Sequence, residues 1–248
     1  MDTDSVIKVN KLTAIIDDKV ILSDVSFHAD SGDVTVILGS SGSGKTVILK
    51  HLLGLYPSAR EAVSVMGLNP SQLAEGEEKR FYTKLGVFYQ NGALLNSLTV
   101  GENVALPLQQ HTNLPGKMIE RLVKLKLRLV NLEGSYNMFP SSLSGGMLKR
   151  AALARAIIMD PPILFCDEPG SGLDPVSLAS LDNLILNLQK LLGMTVIMIT
   201  HEVSSIFRTA DRIIFIDEGK VIFEGTLKEA LKSENKSLKE FFRKGRGD

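Results

Sequence analysis

The sequence predicts an α/β fold: a small sheet first, then a parallel sheet interrupted by a helical segment. Three observations predict it. An apolar run at 34–38 feeds the glycine loop Gly39-Ser-Ser-Gly-Ser-Gly-Lys45-Thr46 and then a helical pattern. The stretch 92–159 has no strong strand. Between 163 and 200 a strand, a helix and a strand follow one another at lengths that imply a right-handed parallel crossover.

Taken in order, β-rich runs at 6–9, 13–16 and 20–22 alternate with turns and read as a small sheet. A helix is expected over 45–55, beginning where the glycines end, and a strand edge at 63–66. Residues 117–130 have the length and charge of a surface helix, with Ile119, Leu122, Val123 and Leu129 as its apolar side. Buried-type strands are expected at 163–166 and 195–200, flanking a helix at 176–192. A last strand at 212–216, a hairpin turn at Asp217-Glu-Gly-Lys220 and an amphipathic tail at 227–242 complete the chain.

Composition narrows the function. Lys plus Arg and Asp plus Glu each total 28, so no bulk basic field favours nucleic acid as a partner. The single cysteine, Cys166, sits in an apolar run and fits a reducing compartment. The first residues lack a basic start followed by an apolar stretch, and apolar runs are about six residues where a membrane-spanning helix needs ~20. A cytosolic chain that reaches a membrane through a partner is the expectation.

The loop Gly39, Ser40, Ser41, Gly42, Ser43, Gly44, Lys45, Thr46 satisfies G-x-x-x-x-G-K-[ST] in the required strand-to-helix context. Its glycines turn backbone N–H groups inward around phosphate oxygens, Lys45 reaches the β- and γ-phosphates, and the Thr46 hydroxyl is placed to ligate Mg²⁺. Val47 stands where many such loops carry a second hydroxyl. The run at 163–166 ends in Asp167 and Glu168, at the strand edge where open α/β sheets hold ligands. Asp167 can hold the Mg²⁺ shell, and Glu168 can orient and deprotonate an attacking water. His201 follows the 195–200 strand at the same kind of edge, and Gln90 ends a strand where the helical stretch begins, placed to bond Mg²⁺ or the water. Leu143-Ser144-Gly145-Gly146-Met147 opens a run of strong helix formers, a second anion site at a helix N-terminus. One nucleotide does not need two such sites from one chain, so reciprocal sharing across a two-fold interface is expected.

With these segments in this order the chain resembles the ATP-binding-cassette (ABC) ATPases over essentially its full length. The resemblance implies one domain over 1–248, with the β-subdomain and a RecA-like P-loop core at 1–90 and 160–226, a helical subdomain at 91–159 and a short helical tail at 227–248. It implies that 39–46 is the Walker A loop, Gln90 the Q-loop, 143–147 the signature, 163–168 Walker B, Ser171-Gly-Leu-Asp174 the D-loop and His201 the H-loop. ATP and Mg²⁺ are the implied cofactors, a second copy of the chain supplies Ser144, Gly145 and Gly146, and Asp174 of the D-loop is a further nucleotide-binding residue. Such ATPases often stack adenine on an aromatic about thirty residues before the lysine; here Ile16 stands in a stretch without one. The segments Asn91-Gly-Ala-Leu-Leu95, Asn103-Val-Ala-Leu-Pro-Leu108 and His111-Thr-Asn-Leu-Pro115, with Met147 in the signature, look like the MlaF-type ATPase subunits of Mce-linked phospholipid transporters of Gram-negative envelopes. This likeness implies a membrane permease of the MlaE type, a Mce-domain lipid-binding protein acting indirectly, and a peripheral place on the cytoplasmic face of the inner membrane.

Overall fold

The computed structural model describes residues 5–40 and 42–246, so Ser41 of the glycine loop lies outside the described residues. The chain divides into two compact units, 1–78 with 197–248, and 79–196.

In the first unit, β1 (Ser5–Ile16) and β2 (Lys19–Asp30) form a long antiparallel hairpin, turned at Asp17 and Asp18 with φ of 49° and 59°. Three short strands were the expectation for this stretch; the structure has two strands of twelve residues. The apparent break after residue 9 is an irregularity inside β1, where the register slips between Val9 and Leu12 and Lys11 takes φ 47°. Ile7, Val9, Leu12 and Ala14 still turn inward. β3 (Val34–Gly39) is buried along its whole length and leads through the glycine loop into α1 (Lys45–Leu52). β4 (Val63–Val65) pairs with the other edge of β1. β8 (Arg212–Asp217) runs parallel to β3, and β9 (Lys220–Thr226) folds back on β8 through Glu218 and Gly219, both at positive φ as a tight hairpin turn requires.

The tail is two helices rather than one amphipathic stretch. A capping box between Thr226 and Glu229 starts α8 (Leu227–Lys232), which ends at Ser233, and α9 (Lys236–Arg246) follows. Leu238 is fully buried, Phe241 meets Phe215 of β8 at 5.5 Å, and Phe242 meets Phe207 of α7 (Val203–Thr209) at 5.4 Å.

In the second unit β5 (Leu85–Phe88) pairs in parallel with β6 (Ile163–Asp167). Between them lie α3 (Val100–His111), α4 (Gly116–Leu129) and α5 (Gly145–Ala156), the helical stretch expected from sequence. α6 (Pro175–Leu192) follows β6 and ends on Gly193 at φ 64°. The remaining elements, α2 (Glu77–Tyr82) and β7 (Thr195–Ile199), hold the two boundaries between the units.

The apolar side of α4 follows the periodicity only in part. Ile119, Val123, Lys126 and Leu127 are buried, while Leu122 and Leu129 are half-buried. Lys126 takes an inward position because its ammonium is paired with Asp160 and its methylene stem behaves as an apolar side chain.

Candidate nucleotide site

The glycine loop is built by close approach. A Cβ on Gly39 would sit 2.0 Å from the Ile216 carbonyl oxygen of β8, and one on Gly44 2.5 Å from Leu22 Cδ2, so neither position admits a side chain without displacement. Gly42, at φ 79°, has nothing within 4 Å of such a Cβ; it is glycine for its conformation. Lys45 Nζ donates to the Gly39 and Ser40 carbonyl oxygens at 2.9 and 2.8 Å, which folds its ammonium over the loop. Helix α1 follows the N-cap Gly44, with no side-chain cap and no acidic residue in its first turn, so the positive end of its dipole is not offset by a carboxylate of its own first turn. Gly42, Gly44, Lys45, Thr46, Val47 and Ile21 line a cavity of about 170 Å³. The Ser43 hydroxyl of the same loop is buried without a hydrogen-bond partner among the described residues. A cation, a helix N-terminus without a side-chain cap and glycines at Gly39 and Gly44 too close to their neighbours for Cβ atoms fit a phosphate chain.

The same unit brings Ser40 and His201 to a second, larger cavity of about 460 Å³. Ser40 Oγ donates to Asp217 Oδ1 at 3.4 Å, and Phe241 and Lys244 of α9 form part of the wall. His201 is exposed, with Nε2 3.8 Å from Glu202 Oε1. Ile16 is elsewhere: it lines a cavity of about 270 Å³ with Thr13, Ile15, His51 and Tyr56.

The second unit gathers a different set. Gln90 Nε2 donates to Ser171 Oγ at 3.1 Å, and Lys149 Nζ donates to the Gln90 carbonyl oxygen. Lys149 is buried; burial pushes its ammonium below the ordinary lysine range, and the carboxylate of Glu168 pulls it back up. Glu168 follows β6 in a left-handed conformation, φ 45°, with Asp167 half-buried before it. Strain of that kind at a strand end is typical of a functional position. Arg155 donates to the Gly92 and Ala93 carbonyl oxygens at 2.8 and 2.7 Å and so fixes the chain just after Gln90. Ser144 caps α5, its Oγ accepting from Met147 N at 3.3 Å, with Gly145 and Gly146 in the first turn. Asp174 caps α6, accepting from Val176 N and Ser177 N at 3.0 Å, and hydrogen bonds led by the Ser177 side chain hold its carboxyl below the usual range.

The family profile described as ABC transporter matches residues 22–171, a span that contains the glycine loop, Gln90, the 143–147 turn and Glu168. The chain belongs to the ABC transporter ATP-binding family. This ABC ATPase is 36% identical over 244 residues to the intermembrane phospholipid transport system ATP-binding protein MlaF of Haemophilus influenzae, covering 98% of this chain and 92% of that protein. It is 37% identical over 235 residues to the probable ribonucleotide transport ATP-binding protein mkl of Mycobacterium bovis, covering 95% of this chain and 66% of that one. Among solved structures, the dimeric, ADP- and phosphate-bound post-hydrolysis state of the ATP-binding cassette MJ0796 matches with a TM-score of 0.79 and 28% identity, over 89% of this chain and 98% of that one. The fold is that of an ABC ATPase cassette, and the chain is an ATPase that binds ATP.

Three residues of this ABC ATPase escape reading from sequence. Lys149 and Arg155 look like ordinary polar positions of a helix, and Asp217 like part of a hairpin turn. Their partners lie 59, 62 and 177 residues away, and no local pattern signals contacts at that separation.

Proposed function

We propose that this ABC ATPase powers phospholipid transport across or between the envelope membranes of a Gram-negative bacterium, acting through a membrane permease of the MlaE type. The observation that carries this reading is the likeness to MlaF, which runs nearly end to end in both chains. A second reading, an ABC transporter for another substrate, is favoured by the 37% identity to mkl, although this chain spans only 66% of that protein. The domain division proposed is a β-subdomain and RecA-like core at 1–90 and 160–226, a helical subdomain at 91–159 and a short tail. No helix among the described residues is long and apolar enough to cross a membrane. By the likeness to MlaF, the proposed place is peripheral, on the cytoplasmic face of the inner membrane, with a Mce-domain protein engaged indirectly through the permease.

In the proposed mechanism the N–H groups at the start of α1 and the Lys45 ammonium hold the β- and γ-phosphates and stabilise charge on the transferred phosphoryl group. Glu168 accepts the proton of the attacking water, and Gln90 and His201 orient that water and the γ-phosphate. Thr46, Asp167 and the Gln90 side-chain carbonyl are hard oxygen donors that suit Mg²⁺, which when bound neutralises phosphate charge. Ser144, Gly145, Gly146 and Asp174 serve the nucleotide of a second copy, a reading supported by the dimeric state of the MJ0796 cassette.

The permease contact is proposed along 92–108. Leu95 is 50% exposed, and Leu94 and Leu98 are half-buried rather than core. Buried Asn103 of α3 holds this loop, accepting from Leu95 N and donating to the carbonyl oxygens of Leu95, Leu98 and Thr99 at 2.8–3.1 Å. Pull-down from detergent extract, with mass spectrometry of proteins and bound small molecules, tests the reading. A polytopic permease with phospholipid is the expected result; a permease carrying nucleotides or another solute overturns the lipid assignment.

A further inference from the structure

Helix α4 carries two apolar faces, and its buried face accounts for only one. Ile119, Val123 and Leu127 point into the second unit. Met118, Leu122, Leu125 and Leu129 form a separate stripe at i, i+4, i+7 and i+11, within an arc of roughly 60° at 100° per residue. Met118 and Leu125 are 45% and 55% exposed, and Leu114, just ahead of the helix, is 38% exposed. Leu122 and Leu129 are half-buried; singly exposed leucines are ordinary on a protein surface, but a row that keeps some exposure on one side of a helix over three turns is not.

A second stripe runs beside the first. Lys117, Arg121, Lys124 and Arg128 repeat the same spacing one position earlier, and all four are exposed. Lys124 is engaged, paired with Glu120 at 2.5 Å and lying over the Tyr136 ring at 5.4 Å. Lys117, Arg121 and Arg128 have no carboxylate partner among the described residues, and Glu120, already paired, lies on the far side of the basic row. The solvent-facing arc of α4 therefore offers apolar side chains and uncompensated positive charge in parallel rows.

We propose that α4 lies on an anionic phospholipid surface, with Met118 and Leu125 entering the acyl boundary and Lys117, Arg121 and Arg128 meeting headgroup phosphates. Charge complementarity selects this occupant. A bilayer presents dispersed negative charge directly above an apolar phase, the two properties that the two rows match over the full length of the helix. The contact adds to the peripheral placement proposed above and is independent of the cargo. Its failure would leave permease docking untouched, because co-purification of a permease involves no vesicle.

The test is flotation of the full chain with vesicles of phosphatidylcholine containing about 30 mol % phosphatidylglycerol, against vesicles of phosphatidylcholine alone. Binding is expected to the anionic vesicles only, and to disappear in about 0.5 M salt as the charges are screened. Arg121→Glu with Arg128→Glu should weaken partitioning at least about twentyfold, at about fivefold for each cation lost. Met118→Ser with Leu125→Ser should weaken it while leaving charge unchanged. Both pairs are surface changes outside the nucleotide residues, so melting temperature and ATPase rate in detergent should stay at wild-type values. No flotation, equal flotation with neutral vesicles, or variants that float like wild type would overturn the proposal. So would a photocrosslinker at position 125 that captures protein instead of lipid in native membranes, which would make α4 a protein-docking face.

Discussion

Gly39→Ala places a methyl group 2.0 Å from the Ile216 carbonyl oxygen and 2.8 Å from Ser43 Oγ. That is roughly 1.5 Å inside ordinary contact, and the nearer atom is backbone of a buried strand, so rotamer change gives no relief. Gly39 and Ile216 are register partners at the end of the parallel β3 and β8 pair, and relief requires peeling that pair apart. Overpacking of this kind costs about 3 kcal/mol at the upper end of its range. For a chain of this length that corresponds to a fall of ~6–12 °C in melting temperature. The same displacement moves the two carbonyl groups that hold Lys45, so ATP affinity should fall as well. Gly42→Ala is the control. Its Cβ meets nothing within 4 Å, so only the left-handed conformation resists, at about 1–2 kcal/mol. The methyl would stand in the wall of the glycine-loop cavity proposed to hold phosphate, so binding should suffer more than stability. Thermal melts with and without ATP, together with equilibrium nucleotide binding, read both effects. A Gly39→Ala protein that melts and binds like wild type would refute the close-approach argument.

Glu168→Gln should keep ATP binding while hydrolysis falls by orders of magnitude, whereas Lys45→Ala should lose productive binding first; single-turnover and binding assays separate the two, and near-normal turnover in Glu168→Gln would remove the assigned base. His51 is buried in the first unit, and burial pushes its imidazole below the ordinary range, partly opposed by the Tyr56 backbone carbonyl. The unfolded chain takes up a proton that the folded one resists, so stability present above about pH 6.5 should decline below it. The urea midpoint should fall less over that acid range in His51→Leu than in wild type. Burial raises the Cys166 thiol far above the usual cysteine range, with Asp167 and Asp182 adding to the effect. Alkylation should therefore follow the unfolding rate; rapid labelling of the native protein would contradict the buried placement.

The glycine loop, the turn before α5 and the Asp217–Lys220 hairpin were legible in the sequence because each is a local device. A backbone that needs positive φ, an open helix N-terminus or a tight turn selects glycine, serine or a small polar residue within a few positions. Periodicity likewise located α4 and α6 to within a residue or so at their ends, since amphipathic repeats are set by the helix alone. The same signal cannot tell which part of a broad apolar face is covered. Leu122 and Ile119 are equivalent in sequence, and only packing leaves one half-buried and the other buried.

Tertiary structure decided the rest. The long β1 and β2 hairpin absorbs an irregularity at Lys11 because cross-strand pairing on both sides holds it, a constraint absent from the strand's own residues. Gln90 is anchored by Lys149, and the loop behind it by Arg155, through side chains supplied from α5 some sixty residues later. By itself the sequence determined which groups carry the chemistry proposed for a nucleotide, because that chemistry resides in residue type and local backbone. Which buried charges hold those groups, and which apolar row stays in water, depended on contacts between distant segments that exist only once the chain has folded.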